Sequence, residues 1–495
     1  MKKNVWKKMI AVLLILAMAI PFTACGKDKT EPTGDSDTNG VTPGGDETDP
    51  GEEVVDDDAS PFAKYIKDEV VEDLDGYTFK VIDFHDDRWA PEEIKSPMDE
   101  LVVSIIEDVE TKYNCDIVFE HGSPDLLFEN AQPEIMSGGK YADLIGTTMW
   151  EFGKMLGGNL LGDVKTIDSL DLNQPYFSQE VALSATFGNK TYAFGAPFGT
   201  HMGNYWLVFY NSRIWNELGL PDPYELVRNG EWTWDKLVEY AKLALRDNDG
   251  DGVISSDADR WGVTCPSGDL IQSFFFGMGG KYYTANDTGS VRLACIDPVS
   301  AEKINFMYKF YQKDGILFKN QNVGYLEMFA AGKALFMPYG NDANDTLKNM
   351  EDDFGILPTP KWNKEQPEYI NAPDHNAPVF CITNTNPNLH EVGIIINALA
   401  KRYQAVEDQK LQDFVDTFWR FEEDEEMMRD YILGHGAYDI VNMIKTANPN
   451  FETPAGALFN GCFNNSYSDI VSQIASMEDA LNVLLDDFFS NLSEE

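Results

Sequence analysis

Positively charged residues are scarce in this chain. Its 495 residues include 38 Lys and Arg against 83 Asp and Glu, which gives a formal charge of −45. A protein this acidic is repelled by the phosphates of nucleic acids and by anionic lipid headgroups. Nucleic acid is therefore excluded as a partner. The charge is typical of a protein that stays soluble near a negatively charged surface, and it also favours cations such as Ca²⁺.

Cysteine and histidine are also few, with six of each. The cysteines are widely spaced and form neither a CxxC pair nor a zinc-binding pattern, and the histidines form no HExxH. We expect most of the thiols to be buried as small apolar side chains. The chain also lacks the P-loop, GxSxG and GxGxxG motifs, which excludes the enzyme classes that these motifs mark.

The amino end has the pattern of an export signal. Four lysines precede an apolar run from Met9 to Ile20, which is too short to remain as a membrane-spanning helix. Small residues then lead to Cys25, and this resembles a bacterial lipoprotein signal. The resemblance implies that residues 1–24 are removed and that Cys25 carries a diacylglyceryl anchor. An ordinary secretory signal with a chance cysteine is the alternative, and both place the remainder outside the cytoplasm.

Composition and periodicity divide the rest of the chain into a polar tether and a folded part. Residues 25–60 are rich in Gly, Asp, Glu, Thr and Pro, which predicts a disordered acidic tether. Order is predicted to begin near Phe62, with a strand at Tyr77–Phe84 and a helix start at Ser96–Asp99. Further strands are predicted near 116–119 and 142–146. This β-α-β-α-β order predicts an α/β protein with a mostly parallel sheet, and the length predicts two domains.

A series of short segments carries a family resemblance. They are Ile135–Gly139, Tyr141–Ile145, Gly188–Ala193, Phe209–Ser212, Glu217–Pro221, Glu231–Asp235, Phe329–Ala334 and Phe354–Pro358. In this order and at these distances, they resemble the family 1 extracellular solute-binding proteins, which are receptors of carbohydrate-importing ABC transporters. The resemblance covers roughly Tyr77 to Ala400.

The resemblance implies two α/β lobes, each a mostly parallel sheet flanked by helices, with a ligand cleft between them. Lobe 1 would comprise residues 61–197 plus about 378–403, and lobe 2 residues 198–377 plus about 404–495. A ligand that contacts both lobes favours the closed form. The permease subunits of the transporter would sense that form.

A sugar site needs flat aromatic rings for stacking, together with amides and carboxylates for hydrogen bonding. In open α/β sheets such residues lie at the carboxyl ends of strands. Each candidate aromatic has the alternative of packing inside the core. The ligand-binding candidates are Trp150, Tyr205, Trp206, Asp269, Tyr339 and His375.

An acidic loop follows a predicted helix and fits most of an EF-hand calcium pattern. At position 12, however, Ala258 replaces the usual glutamate, so that Asp257 or Asp259 would have to substitute, and no exit helix is evident. An acidic surface loop that turns at its glycines is the alternative. A bound Ca²⁺ would be structural. The predicted ligands are Asp247, Asp249, Asp251, the carbonyl of Val253, Ser255 and Asp257.

The sequence leaves three hypotheses for the function. The leading hypothesis is a lipid-anchored, non-enzymatic receptor that captures a mono- or oligosaccharide for an ABC importer. An extracellular glycoside hydrolase would need two carboxylates flanking a cleft, and 83 acidic residues do not exclude such a pair. The same receptor scaffold can also serve a peptide or another polar solute.

Overall fold

The computed structural model describes residues 60–83, 91, 93–123, 126–198, 205–265, 269–285, 290–319, 324–372, 378–436, 439–467 and 469–493. They belong to one compact unit, residues 57–495. The predicted signal peptide, Cys25 and the tether up to residue 59 lie outside the described residues. Within the described part, no helix has both the length and the apolar character needed to span a bilayer.

The described strands form two main sheets and two hairpins. The strands are β1 (Tyr77–Asp83), β2 (Cys115–His121), β3 (Leu144–Thr148), β4 (Thr186–Phe187), β5 (Lys190–Thr191), β6 (Trp206–Asn211), β7 (Trp261–Thr264), β8 (Tyr283–Ala285), β9 (Val291–Leu293), β10 (Leu317–Phe318), β11 (Ala334–Gly340), β12 (Phe354–Leu357) and β13 (Pro378–Cys381). The first sheet has the order β13-β3-β1-β2, and the second has the order β10-β7-β11-β6-β12.

Helices cover both sheets and make up most of the last hundred residues. The α-helices are α1 (Ala63–Ile66), α2 (Pro97–Tyr113), α3 (Leu127–Met136), α4 (Met149–Gly157), α5 (Gln179–Ser184), α6 (Ser212–Glu217), α7 (Pro223–Arg228), α8 (Trp234–Ala244), α9 (Asp269–Gly277), α10 (Pro298–Gln312), α11 (Tyr325–Ala330), α12 (Asn344–Leu347), α13 (Leu389–Thr417), α14 (Glu423–Glu426), α15 (Ile440–Ile444), α16 (Thr453–Cys462), α17 (Ile470–Ala475) and α18 (Glu478–Ser493). Short 3₁₀ helices lie at Val164–Thr166, Asn341–Ala343 and Pro449–Glu452, and a π-helical turn lies at Met427–Ile432.

The first sheet is mostly parallel, as the sequence predicts. Strand β1 pairs in parallel with β2 and β3, whereas β13 runs antiparallel to β3. Helix α2 begins where it was predicted to begin. The Ser96 hydroxyl accepts the Asp99 N–H, and the Asp99 carboxylate accepts the Ser96 N–H, which forms a capping box.

The second sheet is also mostly parallel, as predicted, because four of its five described strands run in one direction and only β6 is reversed. Strands β7, β10 and β11 are parallel to one another, but β6 is antiparallel to both β11 and β12. The chain reaches β6 directly from the first sheet and enters at the edge where the parallel strands end. It must therefore run in the opposite direction. Strand β13 is reversed in the first sheet for the same reason.

Two hydrophobic clusters enclose the first sheet. On one face, Phe79 and Val81 of β1 pack with α2 and the amino-terminal half of α13. On the other face, Ile82 and Ile145 join a larger cluster that also contains the second sheet and the carboxyl-terminal helices. The two sheets therefore share apolar packing along one flank. All cysteines in the described part of the chain are free and buried, as expected.

Helix α13 carries a buried ion-pair network that joins Glu69 to α13 and α2 beside the first sheet. The Arg402 side chain is fully buried. It donates to both carboxylate oxygens of Glu69, at 2.9 and 2.7 Å, and to Asp108 at 2.6 Å. The bidentate geometry satisfies the guanidinium, and removing one partner would leave the others charged and desolvated.

We predict that Arg402→Met lowers the free energy of unfolding by about 3–5 kcal/mol, because Glu69 would then be buried without its counter-charge. Denaturant unfolding of the two forms measures this difference. In the control, Glu69→Gln is added to Arg402→Met and should recover part of the loss. A double variant no more stable than the single one would show that the uncompensated charge is not the cause.

Asp424 is a second buried carboxylate. It lies in α14, shortly after the end of α13, and bonds this part of the chain to the second sheet. It accepts the Tyr224 hydroxyl and the Ile356 N–H, both at 2.9 Å. It also accepts the N–H groups of Arg420 and Phe421, at 3.4 and 3.3 Å. Desolvation outweighs these hydrogen bonds and raises the pKa of Asp424 from 3.8 to about 7.

This pKa predicts a pH dependence of stability. Between pH 4 and 7 the folded protein keeps the Asp424 proton, which the unfolded chain releases. Its contribution is therefore present at low pH and is lost as the pH rises towards 7. Asp424→Asn has no proton to lose, so the free energy of unfolding of the wild type should fall relative to that of the variant as the pH rises across this range. Urea unfolding at several pH values tests this, and parallel profiles for the two proteins would contradict it.

Candidate functional site

Three aromatic rings meet at the carboxyl edge of the second sheet. Tyr339, the penultimate residue of β11, lies 6.1 Å from Trp206, the first residue of β6, in an edge-to-face arrangement. Tyr325, at the start of α11, lies 5.7 Å from Tyr339 with the rings tilted by 36°. Trp206 is buried, whereas both tyrosines are partly exposed. The group therefore combines one buried tryptophan ring with two tyrosine rings that are accessible to solvent.

Backbone and amide contacts hold this group in place. The Asn341 side-chain oxygen accepts the Tyr205 N–H at 2.8 Å, and the Asn341 N–H donates to the Tyr205 carbonyl at 3.1 Å. The Thr264 hydroxyl at the end of β7 donates to the Tyr325 carbonyl at 3.1 Å. These bonds connect the ends of three strands, so the rings stand on a rigid edge rather than on a loop.

The matching edge of the first sheet is polar. Asp83 and Thr148, which end β1 and β3, are buried. The Thr148 hydroxyl accepts the Glu151 N–H and so caps α4. One oxygen of the buried Glu151 carboxylate pairs with Lys154 at 3.1 Å, whereas the other has no hydrogen-bond partner within the described part of the chain. A free acceptor therefore lies in the first turn of α4.

These two edges differ in what they offer a ligand. The second sheet supplies ring faces, which stack on C–H surfaces, and the first supplies hydroxyl and carboxylate oxygens, which bind hydroxyl groups. Together these groups are suited to binding a hydroxylated molecule.

A cavity of about 510 Å³ lies at the junction of the two sheets. Its walls include the crossing segment Gly195–Phe198, Pro378 at the start of β13, Tyr205, and Glu407 of α13. Burial, together with the charges of Glu407 and Glu180, raises the pKa of Tyr205 above its usual value, and desolvation raises the pKa of Glu407. Tyr205 links this cavity to the aromatic group, because its backbone is bonded to Asn341.

Of the six predicted ligand-binding residues, the structure brings Tyr205, Trp206 and Tyr339 together. Trp150 lies in the first turn of α4 and Asp269 begins α9, but their side chains are outside the described part. His375 also falls outside the described residues. For these three predicted residues, the structure therefore gives only the backbone position of Trp150 and Asp269.

Sequence reasoning missed Tyr325 and Glu151. Tyr325 follows Gly324 and begins the short helix that leads into β11. An aromatic residue at the start of a helix that precedes a strand is the feature of the sequence that could have indicated it. Glu151 stands three residues after Thr148 in a cap-and-acid pattern, which explains the helix start without pointing to a ligand. The sequence pattern does not show that the Glu151 side chain is buried or that one of its oxygens has no hydrogen-bond partner among the described residues.

The acidic loop brings three carboxylates within reach of one ion. Oxygens of Asp247, Asp249 and Asp259 lie within 4.8 Å of one another. Two of these were predicted ligands, and the third is Asp259 rather than Asp257. Asp251 instead accepts the Val253 N–H at 2.8 Å.

The chemistry of this loop fits a hard cation such as Ca²⁺, which prefers oxygen ligands. The turn depends on glycine, because Gly250 and Gly252 have φ of +80° and +87° and donate their N–H groups to Asp247. Asp259 accepts N–H bonds from Asn248, Ser255 and Ser256. Backbone bonds of this kind, that of Ser256 first, lower the pKa of Asp259 to about 2 and keep it ionised.

Comparison with solved structures gives matches over most of the chain. The cyclic α-maltosyl-1,6-maltose binding protein of Arthrobacter globiformis is 12% identical with a TM-score of 0.56, over 83% of this chain and 100% of its own. RafE from Streptococcus pneumoniae, in its apo form, is 17% identical with a TM-score of 0.52, over 82% and 98%. UgpB from Mycobacterium tuberculosis, in complex with glycerophosphocholine, is 13% identical with a TM-score of 0.51, over 83% and 98%.

At these identities the matches establish a shared fold, the two-lobed α/β architecture. A search of curated protein sequences gave no significant match. The family model described as bacterial extracellular solute-binding protein matches residues 95–400, which include all the described strands except β1 and extend to the first part of α13. This chain belongs to the bacterial extracellular solute-binding protein family.

Proposed function

We propose that this protein is an extracytoplasmic receptor that binds a carbohydrate between its two lobes and delivers it to an ABC importer. The observation that carries the proposal is the aromatic group of Trp206, Tyr325 and Tyr339 at a strand edge. A lipid on Cys25 would hold the receptor at the membrane, and the permease subunits would recognise the closed form.

The proposed lobes follow the origin of the strands. Lobe 1 comprises residues 61–197 with about 378–403, and lobe 2 comprises residues 198–377 with about 404–495. In support, the first sheet takes its strands from 77–148 and 378–381, and the second from 206–357. Helix α13 passes from the cluster around the first sheet, through Val392 and Leu399, to the larger cluster at Leu411.

A carbohydrate is the favoured class of ligand, because stacking rings next to uncharged hydrogen-bonding groups suit its C–H faces and hydroxyls. The similar fold of a cyclic α-maltosyl-1,6-maltose binding protein supports this choice. A second candidate is another polar solute, which is favoured by the glycerophosphocholine complex of UgpB. The protein would release its ligand unchanged in both cases.

Calorimetric titration of the protein with maltotetraose and with glycerophosphocholine tests the ligand class. We expect saturable binding of the sugar and no release of new reducing ends during incubation. Binding of glycerophosphocholine alone would favour the second candidate. Turnover of the sugar would contradict a receptor and favour a glycoside hydrolase.

Tyr339→Ala should weaken sugar binding by about 0.5–1.5 kcal/mol, which is the range for loss of one aromatic stacking contact. Tyr339→Phe is the matched control, since it keeps the ring and removes the hydroxyl, and it should retain most of the affinity. Titration of both variants with the same sugar gives the comparison. Equal affinity of the Ala variant and the wild type would remove Tyr339 from the site.

We also propose that the loop around Asp247, Asp249 and Asp259 binds one structural Ca²⁺. The three converging carboxylates support the proposal, since without a cation they repel one another. In the EF-hand pattern, the carbonyl of Val253 and the side chain of Ser255 would supply further oxygen ligands to the ion. The ion would stabilise the fold without being needed for solute binding.

Calcium should raise the melting temperature of the wild-type protein above its value in chelator, by the mass-action effect of a ligand that binds the folded state. Asp249→Asn should abolish this difference because it removes one of the three carboxylates. Asp257→Asn, in the same loop but outside the cluster, should keep it. Identical melting curves of the wild type with Ca²⁺ and with chelator would refute the site.

A further inference from the structure

The cavity at the junction of the two sheets has the size of a site for a small organic molecule rather than for a single ion. Its volume is about 510 Å³, and sites for small molecules measure about 300–1,000 Å³. The crossing segment Gly195–Phe198, the start of α5 and one side of α13 line it. Both proposed lobes contribute to this lining, so a molecule held here contacts both of them.

Glu180 supplies one carboxylate from the start of α5. It lies in the first turn of this helix, which Ser178 caps by accepting the Val181 N–H at 3.3 Å. The Ser178 hydroxyl donates to Glu180 at 3.0 Å, and the Ser178 N–H donates to the Gly195 carbonyl at 3.0 Å. The crossing segment therefore holds the start of α5, and with it Glu180, at the cavity.

Glu407 supplies a second carboxylate from α13. It lies one helical turn after Tyr403, so the two side chains project from the same side of the helix. The Tyr403 ring packs on Phe198 of the crossing segment, with ring centroids 5.5 Å apart. Glu407 is accessible to solvent, and within the described part of the chain its carboxylate has neither a hydrogen bond nor an ion pair. This carboxylate is therefore available to a ligand in the cavity.

The other charged groups in the lining do not neutralise this pair of carboxylates. Asp408 is already paired with Lys64 at 2.6 Å, and it also accepts the Tyr65 hydroxyl. Lys410 is the basic residue of the described lining, and its side chain is buried. Desolvation raises the pKa of Glu407 in spite of the nearby Lys410 charge, so this lysine does not compensate Glu407 fully. The cavity therefore keeps a net negative charge.

Aromatic rings lie beside these carboxylates. Tyr176 and Tyr205 line the cavity, and both are partly exposed. Burial raises the pKa of Tyr205, and the charges of Glu407 and Glu180 raise it further, which indicates that both carboxylates lie near its hydroxyl. An ammonium group gains from a carboxylate and from a neighbouring ring face. Trp206, the next residue along the chain, belongs to the aromatic group, so the cavity adjoins the proposed stacking surface.

We propose that the solute of this receptor is an amino sugar, and that Glu180 and Glu407 bind its ammonium group beside Tyr205. The sugar ring next to the amine lies against the aromatic group of the second sheet. The inference rests on the proposed receptor function and adds a positive charge to the expected ligand. The strongly acidic surface of the protein also attracts a cationic solute towards the site.

Calorimetric titration of the full-length protein at about pH 6, where an amine is protonated, tests the charge of the solute. The ligands are the β-1,4-linked disaccharide of glucosamine and cellobiose, which has hydroxyl groups in place of the two amines. We expect the amino sugar to bind about tenfold more tightly, the effect of one hydrogen bond between charged groups.

Glu407→Gln and Glu180→Gln should each reduce this preference to about threefold or less, because each removes one carboxylate and keeps the size of the side chain. Glu302→Gln is the matched control. It removes the same charge from an exposed position of α10 outside the cavity lining, and it should leave the preference unchanged. Melting curves of the three variants show that each is folded.

Equal affinity for the two disaccharides would overturn the inference and leave the receptor function intact. A preference that both cavity variants keep, or that Glu302→Gln reduces equally, would also overturn it, because the acidic surface as a whole would then be the cause. Binding of spermidine without either disaccharide would overturn it in favour of a polyamine. If neither disaccharide binds and maltotetraose does not bind either, the proposed carbohydrate class itself is contradicted.

Discussion

The chain passes between the two sheets at the edge where their parallel strands end, and most of the architecture follows from this constraint. Strands β6 and β13 begin at that edge and must run against their neighbours. This places Tyr205 and Trp206 at the end of β11, where Asn341 bonds to the Tyr205 backbone. The site and the connection between the lobes are therefore built from the same few residues.

Local signals in the sequence predicted local structure well. The Ser96 cap and the glycine turns of the acidic loop depend on neighbouring residues, and the structure contains both of them. The sequence also predicts strands at Trp261–Thr264 and Thr191–Ala193. The first is present, whereas the second is limited to Lys190–Thr191, which pairs within a hairpin. A helix is predicted over 470–489, and the structure divides it into α17 and α18.

Features that depend on distant partners could not be predicted in this way. The direction of β6 follows from the crossing and not from its apolar residues, which would suit a strand of either direction. Asp259 joins Asp247 because the loop folds back on itself, although Asp257 and Asp259 are each one position from the usual glutamate. Tyr325 belongs to the aromatic group because Thr264 of another strand fixes its backbone, and this contact joins residues far apart in the chain.

The central claim is that two lobes close around a bound solute. It can be tested by energy transfer between dyes on cysteines introduced at Met136 and Val299, which are exposed residues beside the first and second sheets. The native cysteines of the described chain are buried and should not be labelled. With a solute that calorimetry has shown to bind, the account predicts a shorter distance between the dyes. An unchanged distance at saturation would contradict it.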